Sequence, residues 1–589
     1  MRAIPCPSVV VALLLSVVPP VTVAAQPASA PEATARRITV LADRYLAAWT
    51  AARPEDILGS GLAGGDQGAI ADTRPAALER WHAMEDSLLR AVRAIDPALT
   101  RQRPEFVTYA ILRHTLEGSV GARVCHFEWW NISPGAGGWL GNYAGVSAMQ
   151  PTGSVAKRAA AVRRVRALGR YVDQEILNLR AGISHGYVAP QILVRGVLTQ
   201  LDDILATAPT ESPFASPAAR DSTPALRVAL SDAIRGSLYP AMRRYRDFLR
   251  AEYLPRARTT LGVSALPKGK ACYEATVRLH SSLALSADSI HRLGLAEIER
   301  LETEMRGIAE RMFHSTDARA TLERLRTDTA HTFRTSSEMR DTARAAIARA
   351  QGAAPRFFGV LPRAKVEVRD YPEFRAKAGA IGEASPPGAD GSPAIYFINT
   401  YDPLHKPRAT AEALAFHEGT PGHGLQLSLA AEQPAAHPIV RALAPGGYAE
   451  GWGLYAEQLA EEMGAYSSDV GRLGLRASQS ARAARLVVDP GLHVLGWTRE
   501  QAVDYLKAHT VWDDRLINAE VDRYIGLPGQ ATSYMLGRLE IVRLRAKAER
   551  TLGARFDIRG FHDAILGHGS LTLPAMESYV DEWIAQRQR

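Results

Sequence analysis

Apolar residues recurring every three to four positions constrain this chain more than any other feature. Ile38, Leu41, Tyr45 and Trp49 keep that spacing, as do Leu78, Trp81, Leu88 and Val92 with one turn skipped. Ile290, Leu293, Ile298, Leu301 and Met305 repeat it behind Ser286 and Asp288, either of which can cap a first turn. Such spacing gives a helix one apolar face that has to be buried. A mainly α fold is therefore expected. The pattern changes at Ala394-Ile395-Tyr396-Phe397-Ile398, a β-branched and aromatic run for which Val366-Glu367-Val368 is the expected partner strand. Residues 206–224 and 381–393, rich in Pro, Ser and Gly, read as surface loops. No internal repeat or sharp internal boundary stands out, so residues 37–589 are expected to form one helical unit, with a catalytic part from about residue 365.

The N-terminus follows a different logic. Met1-Arg2 is positive, residues 9–17 are apolar and uncharged, and Val23-Ala24-Ala25 places small residues before Gln26. This is the layout of a secretory signal peptide over residues 1–25, followed by an Ala/Pro-rich linker over 26–36. The apolar run is short for a bilayer span, so no stable membrane insertion is expected. Cys6 precedes the apolar run rather than following it, which argues against a lipid anchor. A periplasmic or extracellular mature chain is expected. Cys125 and Cys272 are too few for a disulfide scaffold and are expected to be structural, free or paired. The formal net charge is +8, yet the arginines are scattered among Asp and Glu along helical stretches. No basic block is interleaved with aromatics, and nucleic acid is not an expected partner.

The chemistry concentrates at Phe416-His417-Glu418-Gly419-Thr420-Pro421-Gly422-His423. Two imidazoles flanking a carboxylate suggest zinc ligands with a proton-handling group between them. At roughly 100° per residue, histidines six apart stand about 120° apart on a regular helix, poorly placed for one ion. Gly419, Pro421 and Gly422 supply the remedy, because proline withholds a helical N–H and glycine accepts unusual dihedrals. An interrupted or bulged helix would bring both rings to one side. The competing reading is a plain helix break with two incidental histidines. Glu450 is the expected third ligand, on a helix made slim by Gly447, Gly451 and Gly453. Glu457, seven residues on, shares its face. It is expected either to orient a histidine or to be an ordinary exposed charge. An exposed edge at residues 394–399, with Tyr396 and Asn399, could hold an extended peptide by strand addition; alternatively the strand only packs on the helix.

With those residues in view, the chain resembles the bacterial family known as domain of unknown function 885. The resemblance rests on His417 to His423, on Glu450-Gly451-Trp452-Gly453-Leu454-Tyr455, and on Tyr396-Phe397-Ile398-Asn399-Thr400-Tyr401-Asp402-Pro403. Asp489-Pro490-Gly491-Leu492-His493, Pro528-Gly529-Gln530-Ala531-Thr532-Ser533-Tyr534 and Phe561-His562-Asp563-Ala564-Ile565-Leu566-Gly567-His568-Gly569 extend it. That family looks like a branch of the zinc peptidases whose third ligand is glutamate. It is similar in layout to thermostable carboxypeptidases and thimet-type oligopeptidases, in which the histidines stand closer together. The resemblance implies a large helical fold enclosing a deep cleft, with a small β-sheet beside the site. It also implies one Zn2+ held by His417, His423 and Glu450, and short peptide substrates cleaved by a carboxypeptidase, dipeptidase or oligopeptidase activity.

In that chemistry Glu418 takes a proton from water and passes it to the leaving amine. Tyr534, opening a helical stretch after Pro528-Gly529, is the first candidate to stabilise the oxyanion, with His493 and Tyr524 in reserve. Each could equally be a buried residue with satisfied hydrogen bonds. Arg523 or Arg538 could pair a terminal carboxylate, and His562 and His568 could line the cleft or cap helices. Two other functions remain open: a non-catalytic peptide-binding protein on the same scaffold, and a metal-dependent amidohydrolase acting on a non-peptide amide. A helical metal carrier would be expected to show more histidine or cysteine clustering.

Overall fold

The computed structural model describes residues 29–589 except 61, 63, 136, 372–375, 377–380, 389–390 and 434–436. The expected signal peptide and the first linker residues lie outside the described residues. Helix α1 (Ala30–Ala52) begins inside the stretch read as a linker through Arg36. The cause is local. Ser29 and Glu32 form a capping box, in which the Ser29 N–H donates to Glu32 Oε2 at 3.1 Å, and Pro31 occupies the first turn. Ile38, Leu41, Tyr45 and Trp49 then form its buried face.

Helices dominate the rest. Those that frame the site are α2 (Gly269–Ser281), α3 (Ala287–Phe313), α4 (Ala411–Glu418), α5 (His423–Ala431), α6 (Gly446–Glu462), α7 (Asp469–His493), α8 (Asp514–Gly526) and α9 (Ser533–Leu552). Ser286 caps α3, which buries Ile290, Ile298, Leu301 and Met305. One core joins the two ends of the chain, because Ile38, Trp49 and Leu116 cluster with Phe416, Trp452, Ile541 and Ile584. Each such side chain contributes roughly 1.5–3 kcal/mol by leaving water. Residues 206–224 are not simply a surface loop. Pro213–Ala215 and Ser216–Ala219 are short helical turns, and Phe214 is fully buried among apolar neighbours.

Helix α7 is enclosed for most of its length. Gly294 on α3 meets it so closely that a Cβ there would lie 2.7 Å from the Leu486 Cβ. A buried helix is expected to be apolar all round, but one stripe of α7 is not: Ser478, Arg482, Arg485, Asp489 and His493 follow one another at helical spacing.

The sheet has three strands in the order β1-β3-β2. Strand β1 (Val366–Asp370) runs parallel to β3 (Ala394–Ile398), with Val366 opposite Ala394. Strand β2 (Gly382–Ser385) pairs antiparallel on the other side, with Gly382 opposite Ile398. Two expectations change here. The stretch read as a loop over 381–393 contains β2. Strand β3 is therefore central, with both backbone edges occupied, and has no free edge to offer a peptide.

Cys125 and Cys272 form a disulfide across a sequence separation of 147. No described helix is long and apolar enough to cross a membrane.

Candidate metal centre

Helix α4 carries His417 and Glu418 in its last turn and stops at Gly419. The Thr420–Pro421 peptide is cis, and α5 starts at His423. The chain turns tightly: Gly422 N–H donates to Phe416 O at 2.9 Å and Gly424 N–H to Gly419 O at 2.8 Å. A Cβ on Gly422 would run into the His417 carbonyl. The indole N–H of Trp452 donates to Pro421 O at 3.0 Å and ties the turn to α6. The helix is thus broken into two, and both histidines come to one side.

Their rings stand 4.8 Å apart at 89°. Glu450 Oε2 lies 3.5 Å from His417 Nε2 and 3.7 Å from His423 Nε2. One ligand atom from each of the three residues falls within 4.8 Å of the other two, the one such His/Cys/Asp/Glu group found among the described residues. The remaining ring nitrogens are engaged. His417 Nδ1 lies 2.9 Å from Glu457 Oε1, and His423 Nδ1 lies 3.1 Å from Gln426 Oε1. An Nδ1–H donated to each oxygen turns both Nε2 atoms toward Glu450, where a bound cation would take the place of the proton on His417. Glu457 is fully buried, so it is an orienting carboxylate and not an exposed charge. Gly453 leaves the space for the ring, since a Cβ there would lie 2.6 Å from His417 Cε1.

The electrostatics favour a cation. Burial opposes a charged imidazole, but hydrogen bonds to Glu450 and Glu457 outweigh it and hold His417 up at about 10. Burial would likewise raise Glu450, yet the two histidines keep its carboxyl well below the usual range. Glu418 is buried beside them and pushed up by that burial. Among the described residues no hydrogen bond engages its carboxylate, while Gly382 of β2 lies against it, a Cβ there falling 3.6 Å from Glu418 Cγ.

A glycine crossing brings the start of α9, which carries Tyr534, beside Glu450 on α6. Helices α6 and α9 run side by side, Gly447 and Gly451 pressing against Gly537 and Gly446 facing Ser533. The charge of Glu450 is the largest influence on the Tyr534 hydroxyl and, with burial, raises its pKa.

Tyr396 is fully buried on the central strand, its ring against Gly382 beside Glu418, and burial together with the Glu418 charge raises its pKa. Other expected site residues stand elsewhere. Asn399 is also buried, its amide donating to Ala376 O at 2.9 Å. His493 is locked between Val263 N–H at 3.4 Å and Tyr524 O at 2.9 Å, and burial lowers it to about 4. The Tyr524 hydroxyl donates to Glu520 at 2.8 Å. Arg523 is spent on Glu520 and Gln530. Arg538 is buried against Gln458 and Glu297. His562 lies between Phe357 O and the Tyr455 hydroxyl, each at 2.8 Å, and His568 stacks on Tyr579.

A cavity of about 1450 Å³ lies apart from the centre. Trp49, Trp81, Trp129 and Tyr143 are among its walls, and none of the converging His and Glu residues is. The chemistry identifies the site here, not the void. Gln426, Arg482 and Arg485 escaped the reading of the sequence. The signal for the arginines was the polar stripe on an otherwise buried α7.

Residues 54–580 match the family described as "Bacterial protein of unknown function (DUF885)". A crystal structure from Colwellia psychrerythraea, described as a "putative lipoprotein", shares 25% identity with a TM-score of 0.84, over 95% of this chain and 100% of that one. Another from Shewanella oneidensis, described as a "putative lipoprotein of unknown function", shares 17% identity with a TM-score of 0.72, over 93% and 99%. No curated protein matches.

Proposed function

We propose that this chain, which belongs to the bacterial DUF885 family, is a zinc-dependent peptidase acting on short peptides. One observation carries the reading: two imidazole Nε2 atoms and a Glu450 oxygen converge beside Glu418, a buried residue whose carboxylate has no hydrogen-bond partner among the described residues. Zinc bonds of about 2.0–2.1 Å in a tetrahedron set ligand atoms about 3.3 Å apart, close to the 3.5 and 3.7 Å found here. Two nitrogens and one oxygen suit zinc and leave a fourth position open, as catalytic sites require.

When bound, zinc supplies Lewis acidity, lowering the pKa of a water ligand to about 7 and polarising a carbonyl. The protein's own groups do the rest. Glu418 accepts the proton of the attacking water at a carboxylate oxygen and returns it to the departing amine nitrogen. The Tyr534 hydroxyl donates a hydrogen bond to the carbonyl oxygen as negative charge builds there, keeping its proton. Glu457 and Gln426 hold the two imidazoles in the tautomer that presents Nε2. Strand β2, an edge strand among the described residues that passes Glu418 at Gly382, would pair with an extended peptide in this reading.

A cell-envelope location accords with this reading. The Cys125–Cys272 disulfide suits an oxidising compartment, and both similar structures are described in terms of lipoproteins.

The test is mass-spectrometric profiling of a peptide library with zinc-loaded protein, with and without chelator, beside Glu418→Gln. Cleavage that needs the metal and vanishes in Glu418→Gln, with zinc content retained, is the expected result. A zinc-loaded parent that cleaves no peptide, or a Glu418→Gln protein as fast as the parent, overturns the assignment.

A further inference from the structure

The polar stripe of α7 carries more than packing requires. Arg485 is only 8% exposed. Its Nε donates to the Tyr524 hydroxyl at 3.0 Å and its Nη2 to Glu520 Oε2 at 2.9 Å. Those two bonds occupy one edge of the planar guanidinium. Nη1, on the other edge, is buried with no acceptor among the described residues. Three aromatic rings surround the group, with its Cζ 4.5 Å from the Tyr534 centroid, 5.4 Å from Trp512 and 6.0 Å from Tyr524. They offer π-faces but no counter-charge.

Glu520 does not balance this charge alone, because it also takes two bonds from Arg523 at 2.8 and 2.9 Å. One turn before Arg485, Arg482 donates Nη1 to the neutral Ser478 Oγ at 2.7 Å and Ser478 O at 3.3 Å, while its Nε is buried without an acceptor. Asp489, the next acid on the stripe, faces the Tyr273 hydroxyl and Gly529 N–H instead. Arg485 and Arg523 thus share one carboxylate, and Arg482 forms no ion pair among the described residues. Buried cations without a partner are costly, and a guanidinium fork is shaped for a carboxylate. The excess lies beside the centre, since the ring under Arg485 belongs to Tyr534, and its neighbours Ser533 and Gly537 lie against Gly446 and Gly451 on either side of Glu450. The acids Glu418 and Glu450 stand at the metal centre itself and would repel an anion there, while Arg482 is near enough to Glu418 to feel its charge.

We infer that Arg485, flanked by Arg482, holds the free C-terminal carboxylate of a peptide whose scissile bond lies at the metal centre. The inference rests on the peptidase reading and narrows it. The substrates are short peptides with an unblocked C-terminus, cleaved near that end. A peptide continuing past the metal centre, or one ending in an amide, brings no negative charge to these arginines.

The experiment compares two pentapeptides of one sequence, both N-acetylated, one ending in a carboxylate and one in an amide. Turnover by the zinc-loaded parent is read by mass spectrometry. Affinity is read by calorimetric titration of zinc-loaded Glu418→Gln, which binds without turnover. The carboxylate form is expected to show kcat/KM at least tenfold higher, a Kd at least tenfold lower, and products shortened from the C-terminus. Arg482→Gln and Arg485→Gln should each bring the two peptides closer together, mainly through KM, with zinc content retained. Equal turnover and equal affinity for both peptides would leave the peptidase reading standing and overturn this one, as would products shortened only from the N-terminus. If the zinc-loaded protein neither binds nor cleaves either peptide, the peptidase reading fails and takes this inference with it. Should Arg485→Gln not fold, the parent comparison and Arg482→Gln decide.

Discussion

Gly453→Ala adds a single methyl group to α6, at a point where that group has nowhere to go. The added Cβ would stand 2.6 Å from His417 Cε1, 2.7 Å from Nε2 and 2.9 Å from Nδ1. Ordinary contact begins at 3.4 Å, so the ring must retreat by about 0.8 Å (3.4 minus 2.6). It has little room, being tied to Glu457 at 2.9 Å and facing His423 at 4.8 Å. Alanine gains about 1 kcal/mol of helix propensity over glycine, against roughly 1–3 kcal/mol for overpacking. Global stability should therefore move by only about 0 to 2 kcal/mol. The metal should respond far more, since disturbing the groups that orient a ligand costs about 10–100-fold in affinity. Zinc affinity would be measured by competition with a chelating dye, alongside thermal unfolding. Gly307→Ala is the control: it lies on an exposed helical face with nothing within 4 Å of the new methyl, and should stabilise by roughly 0.4–1 kcal/mol with unchanged zinc affinity. If Gly453→Ala binds zinc as tightly as the parent, His417 is not held against α6 as a ligand and the geometric reasoning fails.

Three further outcomes can be checked. Glu457→Gln keeps a partner for His417 but removes the charge that raises its basicity, so zinc affinity should fall about 10–100-fold in the same competition assay; an unchanged value would contradict the orienting role. Asp489 is pushed up to about 7 by burial. Its raised folded-state pKa gives a contribution fully present below the unfolded value near 3.8 and lost as pH rises through about 7. The Tm of Asp489→Asn minus that of the parent should therefore increase from pH 5 to pH 8, and a constant difference would refute the buried, protonated carboxyl. Replacing Cys125 and Cys272 together by serine frees a segment closed across 147 residues. By loop entropy this should cost up to about 5 kcal/mol in denaturant unfolding, and no loss would mean that the unfolded chain stays compact there.

The sequence by itself settled what depends on neighbours along the chain. Helical spacing in Ile38, Leu41, Tyr45 and Trp49 dictated a buried face, and Ser286 a helix start, because both depend on backbone geometry within a few turns. The same held for the break between His417 and His423, since proline and glycine act on the peptide units beside them. The capping box at Ser29 was legible too, although the linker reading passed over it. What the tertiary structure decided was everything set by contact between distant segments. A short strand at Gly382–Ser385 pairs with Ala394–Ile398 and takes away its free edge, and strand pairing is fixed by register across space. Tyr396, Asn399 and His493 sit near motif residues in sequence yet are enclosed by other elements. The only local mark Arg485 carried was its place in the polar stripe of α7. Its significance arises because Glu520, Arg523 and Tyr534 come to surround it from other helices, and burial makes the balance of charge among them matter.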